Sequence, residues 1–206
     1  NALLAIVRGT KLEIPVLLGA FYGLRRSEVL GLKWDAIDFE ANTLEIRHIL
    51  TQAYLDGKKV LVQADRAKNK SSLRTLPLIP EIRDRLLEIK GQQEVYKKLC
   101  GRCYNKEYLG YLCVDEVGNI LRPNYISESF PKLLKANGMR PIRFHDLRHS
   151  CASLLLANGV PMKQIQEWLG HSDFSTTANI YAHLDYSSKL SSAQAMANSL
   201  GLGSAS

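Results

Sequence analysis

Between residues 145 and 181 the chain reads HDLRHSCASLLLANGVPMKQIQEWLGHSDFSTTANIY. Its apolar residues recur at helical spacing in two runs, and each run ends at a glycine, Gly159 or Gly170. Glycine readily ends a helix, and Pro161 suits the first turn of the next one. We therefore predict a helix over residues 145–158 and a shorter helix that opens at Pro161. The core-facing residues of the longer helix are predicted to be Leu147, Cys151, Leu154 and Leu155.

The first turn of this stretch carries two groups that suit an anion. His145 and Arg148 lie three positions apart, so both side chains project from one face of the helix. A guanidinium binds a phosphate at two points, and an imidazole adds a donor or moves a proton. Two alternatives stay open. One is a zinc site at the spacing of His145 and His149, with Asp146 beside them, and the other is a helix start whose polar groups only meet water.

The end of the stretch places His171 directly after Gly170 and Tyr181 ten residues later. A histidine at such a turn and a tyrosine on a short helix are candidates for chemistry. Residues 161–180 also fit a helix-turn-helix, with a glycine at the turn and a polar second helix. On that alternative the protein is a DNA-binding regulator without catalytic activity.

A second chemical motif lies near the start of the chain. The segment Gly23-Leu24-Arg25-Arg26-Ser27-Glu28 separates a predicted helix over residues 11–22 from one over residues 26–32. Arg25 and Glu28 share a helix face, and the amide groups of a helix start can hold an anion together with an arginine. The alternative interpretation is a surface ion pair.

A small β region follows. Residues 44–49 alternate apolar and polar side chains, Asp56-Gly57 is a hairpin turn signal, residues 60–62 return, and residues 73–76 form a third strand. The connections of this predicted sheet are basic: residues 58–74 hold six basic residues against one acidic residue. Residues 132–148 hold five against one.

The remainder is predicted to be helical. Pro80 opens one helix and Pro123 another that ends at Gly138, with a lone strand over residues 109–115 between them. Further helices are predicted over residues 175–181 and 185–200. The fold class is mainly α with a small antiparallel β-sheet, in one domain over residues 1–206. Residues 185–206 form a C-terminal tail, and residues 185–200 carry an apolar stripe at helical spacing.

Composition narrows the classes of partner. The 206 residues carry 27 Lys and Arg against 20 Asp and Glu, a net charge of +7, which favours nucleic acid as a partner. The chain has neither an apolar run of ~20 residues nor a secretory signal, so we expect no membrane partner and a cytoplasmic location. In that reducing compartment four free cysteines are expected, although Cys100-Gly-Arg-Cys103 also fits half a zinc site or a redox pair.

In this order the motifs resemble the tyrosine recombinases, above all the integrases of phages and conjugative transposons. The order is Gly-Leu-Arg-x-Ser-Glu, a lysine in a basic hairpin loop, His-x-x-Arg, Leu-Gly-His and a tyrosine ten residues on. The resemblance runs from about residue 11 to residue 186 and corresponds to the catalytic domain of that family. It implies the tyrosine recombinase catalytic-domain fold. It also implies a fragment whose preceding core-binding domain is absent.

The resemblance implies a role for each motif residue. The scissile phosphate would be held by Arg25, Arg148 and His171, with Glu28 supporting the first arginine. Lys68 would protonate the leaving 5′ oxygen, and Lys70 is the alternative lysine. His145 would act as an acid, a base or a hydrogen-bonding group. Tyr181 would be the nucleophile.

The same resemblance implies site-specific cutting and rejoining of double-stranded DNA for the integration or excision of a mobile element. The intermediate would be a 3′-phosphotyrosyl ester, formed without metal, ATP or another cofactor. The resemblance also implies self-association on DNA, as a tetrameric synapse of the full-length protein, in which the tail over residues 185–206 docks to a neighbouring copy. We expect the isolated fragment to be monomeric. The residues predicted to contact DNA are Lys58, Lys59, Arg66, Lys70, Arg74 and Arg143.

Overall fold

The computed structural model describes residues 2–65, 73–170, 194 and 196–199. The chain divides into two units, Asn1–Ser172 and Asp173–Ser206. In the second unit the described residues are helical, and the side-chain amide of Gln194 donates to Asn198 at 3.2 Å. The helix predicted over residues 175–181, and most of the one over 185–200, lie outside the described residues.

The first unit begins with three short helices, α1 (Ala2–Val7), α2 (Glu13–Phe21) and α3 (Arg26–Gly31). The last two confirm the helices predicted on either side of Gly23. Gly23 has a φ of +62°, which a residue with a side chain adopts only at a cost. A Cβ at this position would lie 2.4 Å from Leu169 Cδ2, so the turn between α2 and α3 fits closely against that leucine.

The β region forms two sheets rather than the single sheet predicted. Strands β1 (Ile37–Asp38), β2 (Thr43–Ile46) and β5 (Arg74–Pro77) make an antiparallel sheet in the order β1-β2-β5. Strands β3 (His48–Leu55) and β4 (Lys58–Asp65) make a separate two-stranded hairpin. The predicted strand over residues 44–49 is thus divided at Arg47, whose guanidinium bonds the Asp35 carbonyl at 2.9 Å.

The hairpin turn lies where it was predicted. Asp56 and Gly57 both have positive φ, +49° and +74°, as the tightest two-residue turns require. Such a turn pairs the residues that flank it directly, and Leu55 therefore lies opposite Lys58. Because the turn pairs β4 with β3, β4 does not pair with β2, and β2 pairs with β5 instead.

Helices make up most of the rest: α4 (Pro80–Cys100), α5 (Pro123–Ala136), α6 (Asp146–Ala157) and α7 (Met162–Leu169). They confirm the predicted helix starts and ends, and Gly170 ends α7 in the left-handed conformation. The strand predicted over residues 109–115 is wrong. That stretch instead makes two isolated bridges, between Lys33 and Tyr111 and between Val114 and Ile120.

The core lies between the helices and the three-stranded sheet. Tyr22 is fully buried, and its hydroxyl donates to the Pro77 carbonyl at 3.0 Å, which fastens the end of α2 to β5. Helix α6 packs on α2 and α7 through Leu147 and Cys151, as predicted. Leu154 is 62% exposed, so its predicted core position is wrong. Among the helices that the structure describes, none has the length and apolar character needed to cross a bilayer.

Candidate active site

Arg148 is the most deeply buried of the cationic site residues that the structure describes. It lies in the first turn of α6 and is 2% exposed. Its Nη1 donates to the Gly23 carbonyl at 2.5 Å, and its Nη2 donates to the Leu169 carbonyl at 2.7 Å. One guanidinium therefore joins the turn before α3 to the last residue of α7.

Arg25 reaches the same helix end from the other side. It precedes α3 and donates from Nη2 to the Gly170 carbonyl at 3.2 Å. Its Nη1 donates to Glu28 Oε1 at 2.9 Å, and 31% of its side chain stays exposed. Arg25 and Arg148, which are remote in sequence, thus converge immediately before residue 171.

Glu28 is the anion at the centre of this cluster. The side chain has no exposed surface, and its carboxylate accepts from the Arg25 backbone amide at 2.8 Å as well as from the Arg25 guanidinium. Burial opposes the charged form. The Arg74 guanidinium, followed by Arg25, outweighs that cost and lowers the pKa of Glu28 to about 2. The surface ion pair considered for Arg25 and Glu28 forms, but its acid is internal.

Counted over the described residues alone, the cluster has an excess of positive charge. Burial, and then the neighbouring charge of Arg25, lowers the pKa of Arg148 to about 9, so the side chain remains a cation at neutral pH. Glu28 supplies one negative charge against the three guanidiniums of Arg25, Arg74 and Arg148. A buried surplus of this sign favours an anionic ligand near the exposed edge of Arg25.

His145 lies directly before α6, next to the cluster. Its ring is exposed, but the surrounding protein removes part of its hydration, which lowers its pKa, and His149, Arg148 and Arg25 add to that effect. The ring stands perpendicular to that of His149, with the centroids 5.1 Å apart. The lowered pKa favours the neutral form of the His145 imidazole, which can accept a proton.

The described part of the chain offers no set of ligands for the zinc site that was considered at His145 and His149. Asp146 pairs with Arg143 at 2.8 Å instead of turning to the histidines. Within residues 2–65 and 73–170, no three His, Cys, Asp or Glu side chains are grouped so that they could hold a metal ion.

The four cysteines are free thiols, as predicted. Cys103 is exposed, and the Cys100 thiol donates to the Glu116 carbonyl at 3.3 Å. Cys113 and Cys151 are buried, and burial raises the pKa of Cys151 to about 11. Cys151 lies close enough to Arg148 for the positive charge of the guanidinium to oppose part of that rise.

Several predicted residues lie outside the described part of the chain: Arg66, Lys68, Lys70, His171 and Tyr181. Their roles stay predictions. Three predicted DNA contacts are exposed. Lys58 and Lys59 lie at the tip of the β3–β4 hairpin, and the Arg143 side chain is 81% exposed.

Arg74 was predicted to contact DNA, but most of its side chain is covered by protein, and a contact with DNA stays a prediction. Its side chain is 8% exposed, and its Nη2 pairs with Glu28 Oε2 at 3.0 Å. A usable signal was present in the sequence. Arg74 and Leu76 are two residues apart on one strand, so the buried face that takes Leu76 also takes Arg74.

The helix-turn-helix alternative rests on α7 and on residues after 170. The structure describes only α7, whose Ile165 and Leu169 are buried. The carbonyls at the end of α7 accept from arginines of three different segments. A helix-turn-helix does not require that arrangement.

Comparison with known proteins places these observations in a family. The family described as the Phage integrase family matches residues 9–188. A protein named tyrosine recombinase XerC-like from Caldanaerobacter subterraneus subsp. tengcongensis is 36% identical over 185 residues, 86% of this chain and 47% of the relative. The ICEBs1 integrase of Bacillus subtilis is 31% identical over 163 residues, 79% of this chain and 42% of that protein. The chain spans about half the length of these curated relatives.

Solved structures show the same fold. The Tn1549 transposon integrase, in complex with transposon right end DNA, superposes with a TM-score of 0.76 at 21% identity, covering 97% of this chain and 63% of that one. The XerA recombinase gives 0.62 at 23% identity, covering 96% and 59%. The predicted fold class, mainly α with small antiparallel sheets, is confirmed.

Proposed function

The chain belongs to the phage integrase family, and on that premise we propose that it is the catalytic part of a site-specific DNA recombinase. It cuts and rejoins DNA strands through a covalent bond between Tyr181 and a 3′ phosphate, and its biological role is the integration or excision of a mobile element. The observation that carries the proposal is the convergence of Arg25 and Arg148 on the end of α7, directly before His171.

The arginines account for the binding of a phosphodiester. Such a group is anionic and repels nucleophiles, so cations around it lower the barrier to attack. Arg25 presents an exposed edge, while Arg148 and Glu28 fix the backbone and the side chain behind it. His171 supplies a further donor to the non-bridging oxygens.

The chemical step is a substitution at phosphorus. The Tyr181 oxygen forms a bond to phosphorus as the bond from phosphorus to the 5′ oxygen breaks. A tyrosine has a pKa near ~10, so its proton leaves during attack, and the imidazole of His145 accepts it. Lys68, or Lys70 in its place, gives a proton to the leaving 5′ oxygen.

The ester intermediate conserves the energy of the broken bond. Attack by a new 5′ hydroxyl on the phosphotyrosine restores a phosphodiester and frees Tyr181, so rejoining needs neither ATP nor a metal. The exposed Lys58, Lys59 and Arg143, together with Arg66 and Lys70, contact the DNA backbone. The complete protein assembles as a tetramer on paired DNA sites, and this chain alone is a monomer.

The test is formation of a covalent adduct. The complete natural protein is incubated with a pool of labelled, nicked random-sequence duplexes, and adducts are separated on a denaturing gel. We expect an adduct with the wild type and with the control Tyr186→Phe, and none with Tyr181→Phe, which removes one hydroxyl and keeps the ring. Absence of any adduct from the wild type, with DNA binding retained, would instead support the helix-turn-helix regulator.

A further inference from the structure

Three arginines donate hydrogen bonds to three successive backbone carbonyls at the C-terminal end of helix α7. Arg74 Nε donates to the Trp168 carbonyl at 2.9 Å, Arg148 to Leu169, and Arg25 to Gly170. The last carbonyls of a helix have no hydrogen-bond partner inside the helix, so the arginines supply the missing donors. Their positive charge is also stabilised by the negative end of the helix dipole. Arg25 and Arg148 belong to the proposed phosphate site, whereas Arg74 is not among the residues proposed to bind the phosphate.

Arg74 is the principal counter-ion of Glu28. Its Nη1 and Nη2 donate to the two carboxylate oxygens at 3.3 Å and 3.0 Å, while Arg25 gives Glu28 only one guanidinium nitrogen. The charge and hydrogen bonds of Arg74 contribute more to the lowered pKa of Glu28 than those of Arg25. Arg74 thereby leaves the second Arg25 nitrogen for the end of α7.

Arg74 also lies in close contact with the backbone at residue 170. A Cβ at Gly170 would lie 2.5 Å from Arg74 Nη1 and 3.0 Å from its Cζ, so the guanidinium packs against a residue that has no side chain. Gly170 has a φ of +66°, and it directly precedes His171. On the other side, Arg74 is the first residue of β5, two positions after the segment 66–72 that carries Lys68 and Lys70.

We propose that Arg74 is a positioning residue for the strand-cleavage reaction. It acts through Glu28 on the orientation of Arg25 and through Trp168 and Gly170 on the direction in which the chain enters residue 171. Without Arg74, the buried carboxylate loses its two-point partner and would draw both Nη groups of Arg25 into that place. Arg25 would then turn away from the phosphate. This inference rests on the proposed function.

The experiment compares Arg74→Met and Arg74→Lys with a matched control, Arg83→Met, in the complete natural protein. Arg83 also donates its Nε to a backbone carbonyl, that of Phe39 at 3.2 Å, but it lies on α4. The probe is the duplex that forms the most adduct with the wild type in the pool experiment. Three quantities are measured: the single-turnover rate constant of adduct formation, its amplitude, and the Kd for the duplex.

We expect the rate constant of Arg74→Met to fall about 100-fold, the loss that a misplacement of about 1 Å produces, with the Kd unchanged. Arg74→Lys keeps the charge but not the planar three-donor contact, and it should lose less. Arg83→Met should match the wild type. A variant that is merely less stable would lose amplitude rather than rate constant.

The inference is overturned if folded Arg74→Met cleaves at the wild-type rate, or if only the amplitude falls. If Arg74→Met does not fold, Arg74→Lys decides. A wild-type rate constant overturns the inference, and a reduced one with unchanged Kd supports it. Failure of the wild type to form any adduct overturns the proposed function, and the inference with it. The two failures are distinguishable, because a wild type that forms the adduct together with Arg74 variants that react at the same rate would overturn the inference alone.

Discussion

Arg148 Nη1 donates to the Gly23 carbonyl at 2.5 Å across 125 positions of sequence. This bond joins a side chain of the His-x-x-Arg motif to a backbone carbonyl of the Gly-Leu-Arg motif. The arginine is thus both a buried structural cation and a group proposed to face phosphate. Substitutions at these motifs will act on stability and on reactivity, and the two effects need separate measurements.

Arg148→Lys should lower the rate of adduct formation about 100-fold, because one amine cannot replace a planar group with several fixed donors. DNA affinity should persist, since the positive charge remains. Single-turnover cleavage and a filter-binding Kd measure the two effects. Arg143→Lys is the control, since that side chain is 81% exposed and on the same segment. Equal rates for the two variants would argue against a phosphate-binding role of Arg148.

Gly23→Ala should lower the free energy of unfolding by about 3 kcal/mol. The cost combines a positive φ with a Cβ placed 2.4 Å from Leu169 Cδ2. Gly57→Ala is the matched control. It has a φ of +74° and nothing within 4 Å of the added Cβ, so only the conformational cost of about 1 kcal/mol applies. Urea unfolding followed by circular dichroism measures both, and similar losses would contradict the close approach of Leu169.

Glu28 should make the protein sensitive to acid. Its pKa is lowered from 4.5 to about 2, so it contributes stability that is present above about pH 5 and lost as the pH falls toward 2. A shift of this size corresponds to about 3 kcal/mol. Glu28→Gln should be less stable than the wild type at pH 7 and should lose less stability between pH 5 and pH 2. Urea unfolding at several pH values measures the free energy of unfolding of both proteins. If both lose the same amount between pH 5 and pH 2, the carboxylate is not held in its charged form.

Adduct formation should continue in the presence of a chelator. Arginine and histidine side chains around the proposed phosphate site supply the positive charge that a metal would otherwise give. The measurement compares adduct yield with and without EDTA at constant ionic strength. A yield that vanishes with EDTA and returns with zinc or magnesium would replace the proposed mechanism with a metal-dependent one.

The hairpin tip should contribute to DNA binding through charge alone. Replacing both Lys58 and Lys59 with Ala should weaken binding and reduce the slope of log K against log salt by about 2, since two phosphate contacts are lost. The exposed pair Lys97 and Lys98 in the last turn of α4 gives a control with the same change of charge. A slope that changes equally in both double variants would indicate a general charge effect instead of a contact.

The sequence by itself determined the features that depend on neighbouring residues. Proline and glycine fix where α5 and α7 begin and end, because their backbone preferences act within one turn of helix. Asp56-Gly57 fixes the hairpin for the same reason. The contact of Arg25 with Glu28 follows from their spacing of three residues, because Arg25 directly precedes α3 and Glu28 is the third residue of that helix. The order of the motifs was enough to suggest the family.

Only the tertiary structure decided which strands pair and which side chains these helices and strands bury. The sequence did not show that β2 would pair with β5, that Leu154 would face solvent, or that Arg74 would be buried beside Glu28. Each of these outcomes depends on which element covers a given face, and residues far apart in sequence compete to do so. The convergence of three guanidiniums on the carbonyls of α7 is of the same kind. Backbone acceptors occur at every residue, so only packing selects the three that these arginines reach.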